Sequence, residues 1–293
     1  EDRGHPGKHV IPLNRSIIEP FLTFSQRRDL REAALQAFTA RGSSTGRDNG
    51  AIIAETLALR LERANLLGYA SFADYVLDDT MAKSADTVDD LLRQVWQPAV
   101  TRVAAERQKL QAVANAEGLN DQIRPCDWRY FAEKVRKAKY DLDQNEVKPY
   151  LQLDKLREGM FWMAGQLFGF QFTPVTDVPV VMPDVRVWKV SNPKGEQVGL
   201  WYFDPYARKG KRSGAWMNAY RTQERFDGEV KTIVSNNSNF VKGQAGEPIL
   251  VSWTDAQTMF HEFGHALHGL SSNVDYPSLA GTAVARDYVE FPS

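Results

Sequence analysis

The pentapeptide His261-Glu262-Phe263-Gly264-His265 decides how this sequence of 293 residues is interpreted. Two histidines four residues apart on a helix lie on one face, close enough for both imidazoles to bind one Zn²⁺ ion. Glu262 follows the first of them and is placed to take a proton from water at such an ion. Three of the five histidines of the chain crowd into positions 261–268, which favours a metal site over a chance grouping. The pentapeptide therefore predicts a zinc centre on a helix.

A third protein ligand is the next requirement, because hydrolytic zinc sites have three protein ligands and one open position. A third histidine at position 271 is excluded, since that position holds Ser271. The acidic residues after the pentapeptide are Asp275, Asp287 and Glu290. Asp287 and Glu290 lie one turn apart in a segment that is predicted to start a second helix, and the spacing favours Glu290 only slightly. From the residues alone, the third ligand stays open among these carboxylates.

Several residues near the pentapeptide carry secondary predictions. Thr254 and Gln257 fit a capping box, so the helix is predicted to begin after Thr254. Gly264 inside this helix costs about 1 kcal/mol relative to alanine, which indicates that a neighbouring element approaches closely there. His268 is expected to pack beside the site or to orient a ligand, because a fourth protein ligand would close it. The segment 231–240 is interpreted either as a sheet edge that pairs with an extended peptide or as a surface loop.

The part of the chain before residue 174 is dominated by apolar residues at helical spacing. The predicted helices cover residues 21–40, 51–67, 71–78, 84–117, 127–142 and 152–168. Pro98 is expected to kink or split the fourth of them, because proline removes a helical hydrogen bond. This half of the sequence therefore predicts a helical domain, residues 1–173.

The pattern changes near Pro174, where apolar and polar residues begin to alternate. Residues 185–190 and 197–203 predict a β-hairpin, and a third strand is expected from residue 232 toward residue 240. The second predicted domain, residues 174–293, is a catalytic zinc-binding region with this sheet and the helix of the pentapeptide. The predicted fold class is mainly α, with a small antiparallel β-sheet.

Composition and charge exclude several classes of protein. The 36 Lys and Arg residues against 37 Asp and Glu give a net charge of −1, so the chain lacks the cationic excess of nucleic-acid-binding proteins. The single cysteine, Cys126, cannot form an internal disulfide, which excludes a disulfide-stapled secreted domain. Apolar runs are far shorter than the roughly 20 residues of a membrane span. We therefore expect a cytoplasmic monomer without nucleic-acid or membrane partners, although Glu1 in place of methionine leaves a processed, exported form open.

Longer motifs add a resemblance that extends over nearly the whole chain. The most specific stretches are Phe260–His268, Gly281–Thr282, Arg286–Ser293, Tyr202–Arg208 and Leu250–Trp253. Together they resemble the thimet-oligopeptidase family of zinc metallopeptidases, and most closely its bacterial peptidyl-dipeptidase and oligopeptidase A branch. The resemblance implies a helical zinc-peptidase fold and hydrolysis of peptide bonds in short oligopeptides. The mode would be either release of C-terminal dipeptides or internal cutting.

Residue roles follow from the same resemblance. It makes His261, His265 and Glu290 the ligands of one Zn²⁺ ion per chain and Glu262 the catalytic base. Family members continue well beyond the third ligand and also have a longer N-terminal helical portion, so we expect this sequence to be an internal fragment. The alternative function is then a catalytically incomplete helical module that only binds or scaffolds. On its own, the chain is expected to be at best feebly active.

Overall fold

The computed structural model describes residues 5–44, 46–140, 144–243 and 246–293. The chain divides into two compact units, residues 1–142 and 143–293. The first unit contains the helices α1 Arg15–Phe24, α2 Arg28–Thr39, α3 Gly50–Leu66, α4 Phe72–Leu77, α5 Ala85–Ala116 and α6 Pro125–Tyr140, and the short paired strands β1 Ser43–Ser44 and β2 Arg47–Asp48. The second contains α7 Gln144–Val147, α8 Leu153–Phe168, β3 Gln171–Val175, β4 Arg186–Ser191, β5 Gln197–Tyr206, β6 Trp216–Arg221, β7 Thr232–Phe240 and α9 Trp253–Leu270. The prediction of a mainly helical chain is confirmed.

Two of the helix predictions need correction. The single helix predicted over residues 21–40 is two helices, because the backbone turns extended at Ser25 (φ −70°, ψ 127°) between α1 and α2. Conversely, α5 is not split at Pro98 and continues from Ala85 to Ala116. Its side chains near the proline are largely exposed, Trp96 by 69%, so water can reach the carbonyl that proline leaves unpaired.

A buried charge cluster holds α2 and α6 together in the first unit. Asp127 is fully buried and accepts hydrogen bonds from Arg28 Nη2 at 2.8 Å, Arg31 Nη2 at 2.8 Å and the Arg124 amide at 3.0 Å. The Arg31 guanidinium also donates to the Cys126 carbonyl at 3.1 Å and lies 4.3 Å from the Tyr130 ring centre. Burial alone would raise the pKa of Asp127, but these hydrogen bonds outweigh it and hold the pKa below its usual range.

The second unit is built around a five-stranded sheet in the order β3-β4-β5-β7-β6. The predicted hairpin is confirmed as β4 and β5, and the predicted third strand as β7. The sheet is not purely antiparallel, however: β5 and β7 run parallel, with Trp201 opposite Val234. The reason is that β7 inserts between β5 and β6, two strands that precede it in the chain. Alternation and turn signals report only on neighbouring strands, so this long-range pairing has no local signature.

Helices α8 and α9 lie with this sheet in the second unit, and their apolar faces form its core. The division between the two compact units falls at residues 142/143 of the chain, whereas the sequence predicts a domain boundary at residues 173/174. That boundary follows the change from helix to strand and stays a prediction about folding domains. In the parts of the chain that the structure describes, none of the helices combines the length and the hydrophobicity that a bilayer crossing requires.

Candidate metal centre

Helix α9 carries the two predicted histidine ligands and begins at a capping box. The Ser252 hydroxyl accepts a hydrogen bond from the Asp255 backbone amide at 3.1 Å, and the Asp255 carboxylate accepts one from the Ser252 backbone amide at 3.1 Å. The predicted cap at Thr254 and Gln257 is therefore wrong by two residues. Both pairs fit the capping pattern, but a carboxylate at the helix N-terminus gains from the helix dipole and a glutamine amide does not.

One face of α9 is buried against the five-stranded sheet. Its buried residues are Ala256, Met259, Glu262, Phe263, Ala266, Leu267, Gly269 and Leu270. Phe263 is fully buried and meets Trp201 of β5 edge to face, with 5.5 Å between ring centres. His261 lies at the surface, with 44% of its side chain exposed, whereas His265 is largely buried, with 12% exposed.

Two consecutive buried hydrogen bonds fix α9 at the pentapeptide His261–His265. Trp201 Nε1 donates to Asn236 Oδ1 at 2.5 Å, and Asn236 Nδ2 donates to the Glu262 carbonyl at 2.5 Å. Asn236 lies on β7 and is only 3% exposed. The side-chain amide of Asn236 therefore connects β5, β7 and α9 through two hydrogen bonds.

Replacing Asn236 with alanine is expected to lower the free energy of unfolding by about 1–3 kcal/mol, because the buried Trp201 indole N–H then loses its acceptor. Chemical denaturation monitored by tryptophan fluorescence measures this loss. The matched control is Asn218→Ala on the neighbouring strand β6, an exposed asparagine whose removal should change stability by less than about 0.5 kcal/mol. Equal effects of the two variants would contradict the role given to Asn236.

Three predicted ligands converge at the exposed side of α9. Glu290 Oε2 lies 3.2 Å from His261 Nε2 and 3.3 Å from His265 Nε2, and the three ligand atoms lie within 4.8 Å of one another. Ligands at 2.0–2.2 Å around a tetrahedral zinc ion are separated by about 3.3 Å, so these two distances fit such an ion. Two imidazoles and a carboxylate are also a donor set that zinc uses in hydrolytic sites. The residues present therefore fit the metal.

The other candidate carboxylates are placed differently. Asp275 pairs with Arg225, whose Nε lies 3.1 Å from its Oδ1, and neither it nor Asp287 belongs to the group of converging ligand atoms found in the described residues. The segment that carries Glu290 is a series of turns and not the predicted second helix: the Tyr288 amide bonds to the Ala285 carbonyl at 2.9 Å. Glu290 is the carboxylate that the geometry favours, and its role as a ligand stays a prediction.

Glu262, the predicted base, is 9% exposed and lies beside both histidines. Burial raises its pKa, while His261, His265 and a backbone hydrogen bond from Met217 of β6 act in the opposite direction. A raised carboxyl pKa suits a group that must both accept and release a proton near neutral pH.

Two further histidine nitrogens show that this cluster is costly to the fold. His265 Nδ1 and His268 Nδ1 are buried, and within the described residues neither meets a hydrogen-bonding partner. Burial, and secondarily His265, lowers the pKa of His268, so its neutral form is favoured. A buried polar atom without a partner costs about 1–3 kcal/mol, and such local costs are characteristic of functional sites.

Sequence reasoning missed the supporting residues and misplaced the sheet edge. The sequence predicts residues 231–240 at a sheet edge or in a loop, but β7 is paired on both sides, and β6 is the edge strand beside α9. Asn236 and its polar neighbours in β7 are buried. One signal in the sequence indicates an internal strand here. The polar residues 235–239 lie between Ile233 and Val234 on one side and Phe240 on the other, a pattern typical of a buried strand that carries polar side chains.

Comparison with known proteins gives one family. Residues 21–293 match the sequence profile of Peptidase family M3. Dipeptidyl carboxypeptidase of Escherichia coli is 38% identical over all of this chain, and oligopeptidase A of the same organism is 33% identical over 97% of it. A probable cytosolic oligopeptidase A of Arabidopsis thaliana is 34% identical over 98% of the chain. In each case the match covers only 42–43% of the relative's own length.

Proposed function

Because this chain belongs to Peptidase family M3, we propose that it supplies the zinc site of a metallopeptidase that hydrolyses peptide bonds in short oligopeptides. The observation that carries the proposal is the convergence of His261 Nε2, His265 Nε2 and Glu290 Oε2 next to the buried carboxyl of Glu262. The chain spans about 43% of the length of the curated relatives it matches, so the activity is proposed for the protein that contains it.

The proposed chemistry divides the work between the metal and one carboxylate. When bound, zinc polarises the scissile carbonyl and lowers the pKa of water toward about 7. His261, His265 and Glu290 would hold the ion. Glu262 accepts the proton of the attacking water on its carboxylate and passes it to the leaving nitrogen of the cleaved bond. Its burial keeps that proton from being lost to bulk solvent.

The substrate is proposed to bind in extended form along β6. This strand is the edge of the five-stranded sheet, and its Met217 amide already contacts the Glu262 carboxyl. A peptide that pairs with a sheet edge presents its backbone carbonyls in a regular row, so one of them can lie at the metal. Pairing through the backbone alone would make no use of the side chains of the peptide.

The cleavage mode that we propose is release of dipeptides from the C-terminus. The support is the higher identity to dipeptidyl carboxypeptidase, 38%, than to oligopeptidase A, 33%. Mass spectrometry of the products from a pentapeptide and from its C-terminal amide separates the two modes. Equal cleavage of both peptides at internal bonds would favour the oligopeptidase mode. A cytoplasmic location is proposed with it, because one relative is named as a probable cytosolic enzyme.

Metal binding tests the proposal on the chain itself. We expect one zinc ion per chain after exhaustive dialysis, and its loss in His265→Ala, because that variant removes the less exposed of the two imidazole ligands. Elemental analysis of the dialysed protein measures the stoichiometry. The matched control is His9→Ala, which removes an exposed histidine far from the motif in sequence and should leave the zinc content unchanged.

Metal analysis tests the ligand set, and zinc content together with peptide turnover distinguishes the two candidate functions. Zinc retained by His265→Ala would contradict the proposed ligand set. Zinc bound stoichiometrically, without any turnover of short peptides by the longer protein, would favour the non-catalytic binding or scaffold module over the peptidase.

A further inference from the structure

Gly264, inside the metal-binding pentapeptide, is a point of close contact with the segment that carries Glu290. A β-carbon built on Gly264 would lie 2.6 Å from Ser293 Cα and 2.9 Å from the Pro292 carbonyl oxygen. Both are backbone atoms, so no side-chain rotation relieves the overlap. Only glycine at this position lets the chain at residues 292–293 lie directly on α9.

The residue seated on Gly264 also contacts the third predicted ligand. Ser293 Oγ lies 2.8 Å from the Glu290 carbonyl oxygen and 3.2 Å from Glu290 Oε2. This Oε2 is the atom that lies within 3.3 Å of both imidazole nitrogens. A continuous path of contacts therefore runs from Gly264 through Ser293 to the ligand atom itself.

A second glycine contact holds the other end of the same segment. A β-carbon on Gly281 would lie 2.9 Å from Gly269 Cα, and the φ of Gly281 is +52°, which also disfavours any other residue. The Gly281 amide donates to Ser272 Oγ at 3.1 Å. The segment 281–293 is thus held against α9 at two points, with Glu290 close to the point at Gly264.

Among the residues that the structure describes, few other contacts fix the carboxylate. The Glu290 side chain is 66% exposed, its neighbour Phe291 is 82% exposed, and the segment consists of turns. The position of Glu290 consequently depends on where the backbone of residues 292–293 rests. We propose that Gly264 is a positioning residue for the metal site: its missing side chain sets the distance between Glu290 and the two histidines. This inference rests on the proposed zinc function.

The proposal predicts opposite effects of one substitution on folding and on metal affinity. Alanine is a better helix former than glycine, so Gly264→Ala should leave α9 at least as helical as before. The added methyl group displaces residues 292–293 and moves the carboxylate away from the imidazoles. We expect zinc affinity to fall by about 10- to 100-fold, the range typical of changes just outside a coordination shell.

The test compares zinc affinity in a set of variants of the full chain, measured by competition with a chromophoric chelator. Gly159→Ala is the matched control, because Gly159 lies in the interior of α8 and a β-carbon there meets nothing within 4 Å. Glu290→Gln is included alone and combined with Gly264→Ala. Far-UV circular dichroism and the thermal midpoint of the metal-free proteins check that each variant is folded.

The expected result is a loss of affinity in Gly264→Ala and in Glu290→Gln, none in Gly159→Ala, and no further loss in the double variant. Non-additivity is required because Gly264 acts through Glu290. The visible spectrum of the Co²⁺-substituted Gly264→Ala protein should also shift toward that of Glu290→Gln. Ser293→Ala tests the same path without changing α9 and should lower affinity severalfold.

Two results would overturn the inference in different ways. Wild-type affinity in Gly264→Ala, with reduced affinity in Glu290→Gln, would refute the positioning role and leave the zinc site intact. Wild-type affinity in Glu290→Gln would refute the proposed ligand set itself. If Gly264→Ala fails to fold, Ser293→Ala decides, and unchanged affinity in that variant counts against the proposal.

Discussion

Replacing Glu262 with glutamine is expected to slow peptide hydrolysis by the protein that contains this chain by about 10²–10⁴-fold while leaving zinc bound. Glutamine has nearly the shape of glutamate, so the packing of this 9%-exposed side chain on α9 is preserved. Its amide cannot accept the proton of the attacking water, and the step assigned to Glu262 loses its base. The rate is measured with a quenched short peptide, and the zinc content by elemental analysis.

Glu196→Gln provides the control for this experiment. Glu196 lies in the turn between β4 and β5, where its carboxylate accepts a hydrogen bond from Asn192 Nδ2 at 2.8 Å in an exposed position. Its substitution should leave both rate and zinc content unchanged. Hydrolysis that persists in Glu262→Gln would show that another group is the base. Loss of zinc together with hydrolysis would assign Glu262 to holding the metal site.

Replacing Asp127 with alanine is expected to lower the free energy of unfolding of the first unit by about 3–5 kcal/mol. The variant leaves the guanidinium of Arg31, 2% exposed, without its carboxylate partner in the interior. It also removes the acceptor of Arg28 and of the Arg124 amide. Hydrogen exchange at the amides of α6 measures the stability of this unit by itself.

An exposed ion pair supplies the comparison for Asp127. Asp29 pairs with Arg27 Nη2 at 2.6 Å, but the two side chains are 62% and 67% exposed, so solvent screens the pair and Asp29→Ala should destabilise the unit far less than Asp127→Ala. A loss of similar size in both variants would contradict the buried-charge argument.

The pH dependence of the same unit has a definite sign. The folded pKa of Asp127 lies below its reference value of 3.8, so its stabilising contribution is fully present above about pH 3.8 and is lost as pH falls through the lower folded value. Asp127→Ala should therefore remove part of the acid sensitivity of α2 and α6.

The helix of the candidate metal site was predictable because its signals are local. The spacing of His261 and His265 predicts a helix, and the apolar residues on its other face indicate which side is buried. Neither inference needs knowledge of the rest of the chain. The hairpin of β4 and β5 was predictable for the same reason: alternation and a turn at Asn192 lie within twenty residues.

The features that the sequence did not reveal all depend on distant contacts. The parallel pairing of β5 with β7 joins Trp201 to Val234, and the buried role of Asn236 exists only once that pairing has formed. Gly264 did signal a close approach, but the partner, residues 292–293, was not identifiable. The choice among the carboxylates stayed open from spacing, because turns and not a regular helix carry Glu290.

The insertion of β7 between two earlier strands has a consequence for biosynthesis. On the ribosome, β5 and β6 emerge before the strand that separates them in the finished sheet. A β5–β6 hairpin formed before residue 240 has left the exit tunnel would have to open again to admit β7, so we expect such a hairpin to be a kinetic trap. Helix α9, which packs on β7, begins only at Trp253, so translation speed just downstream of β7 should influence how much of the newly made polypeptide reaches its native state.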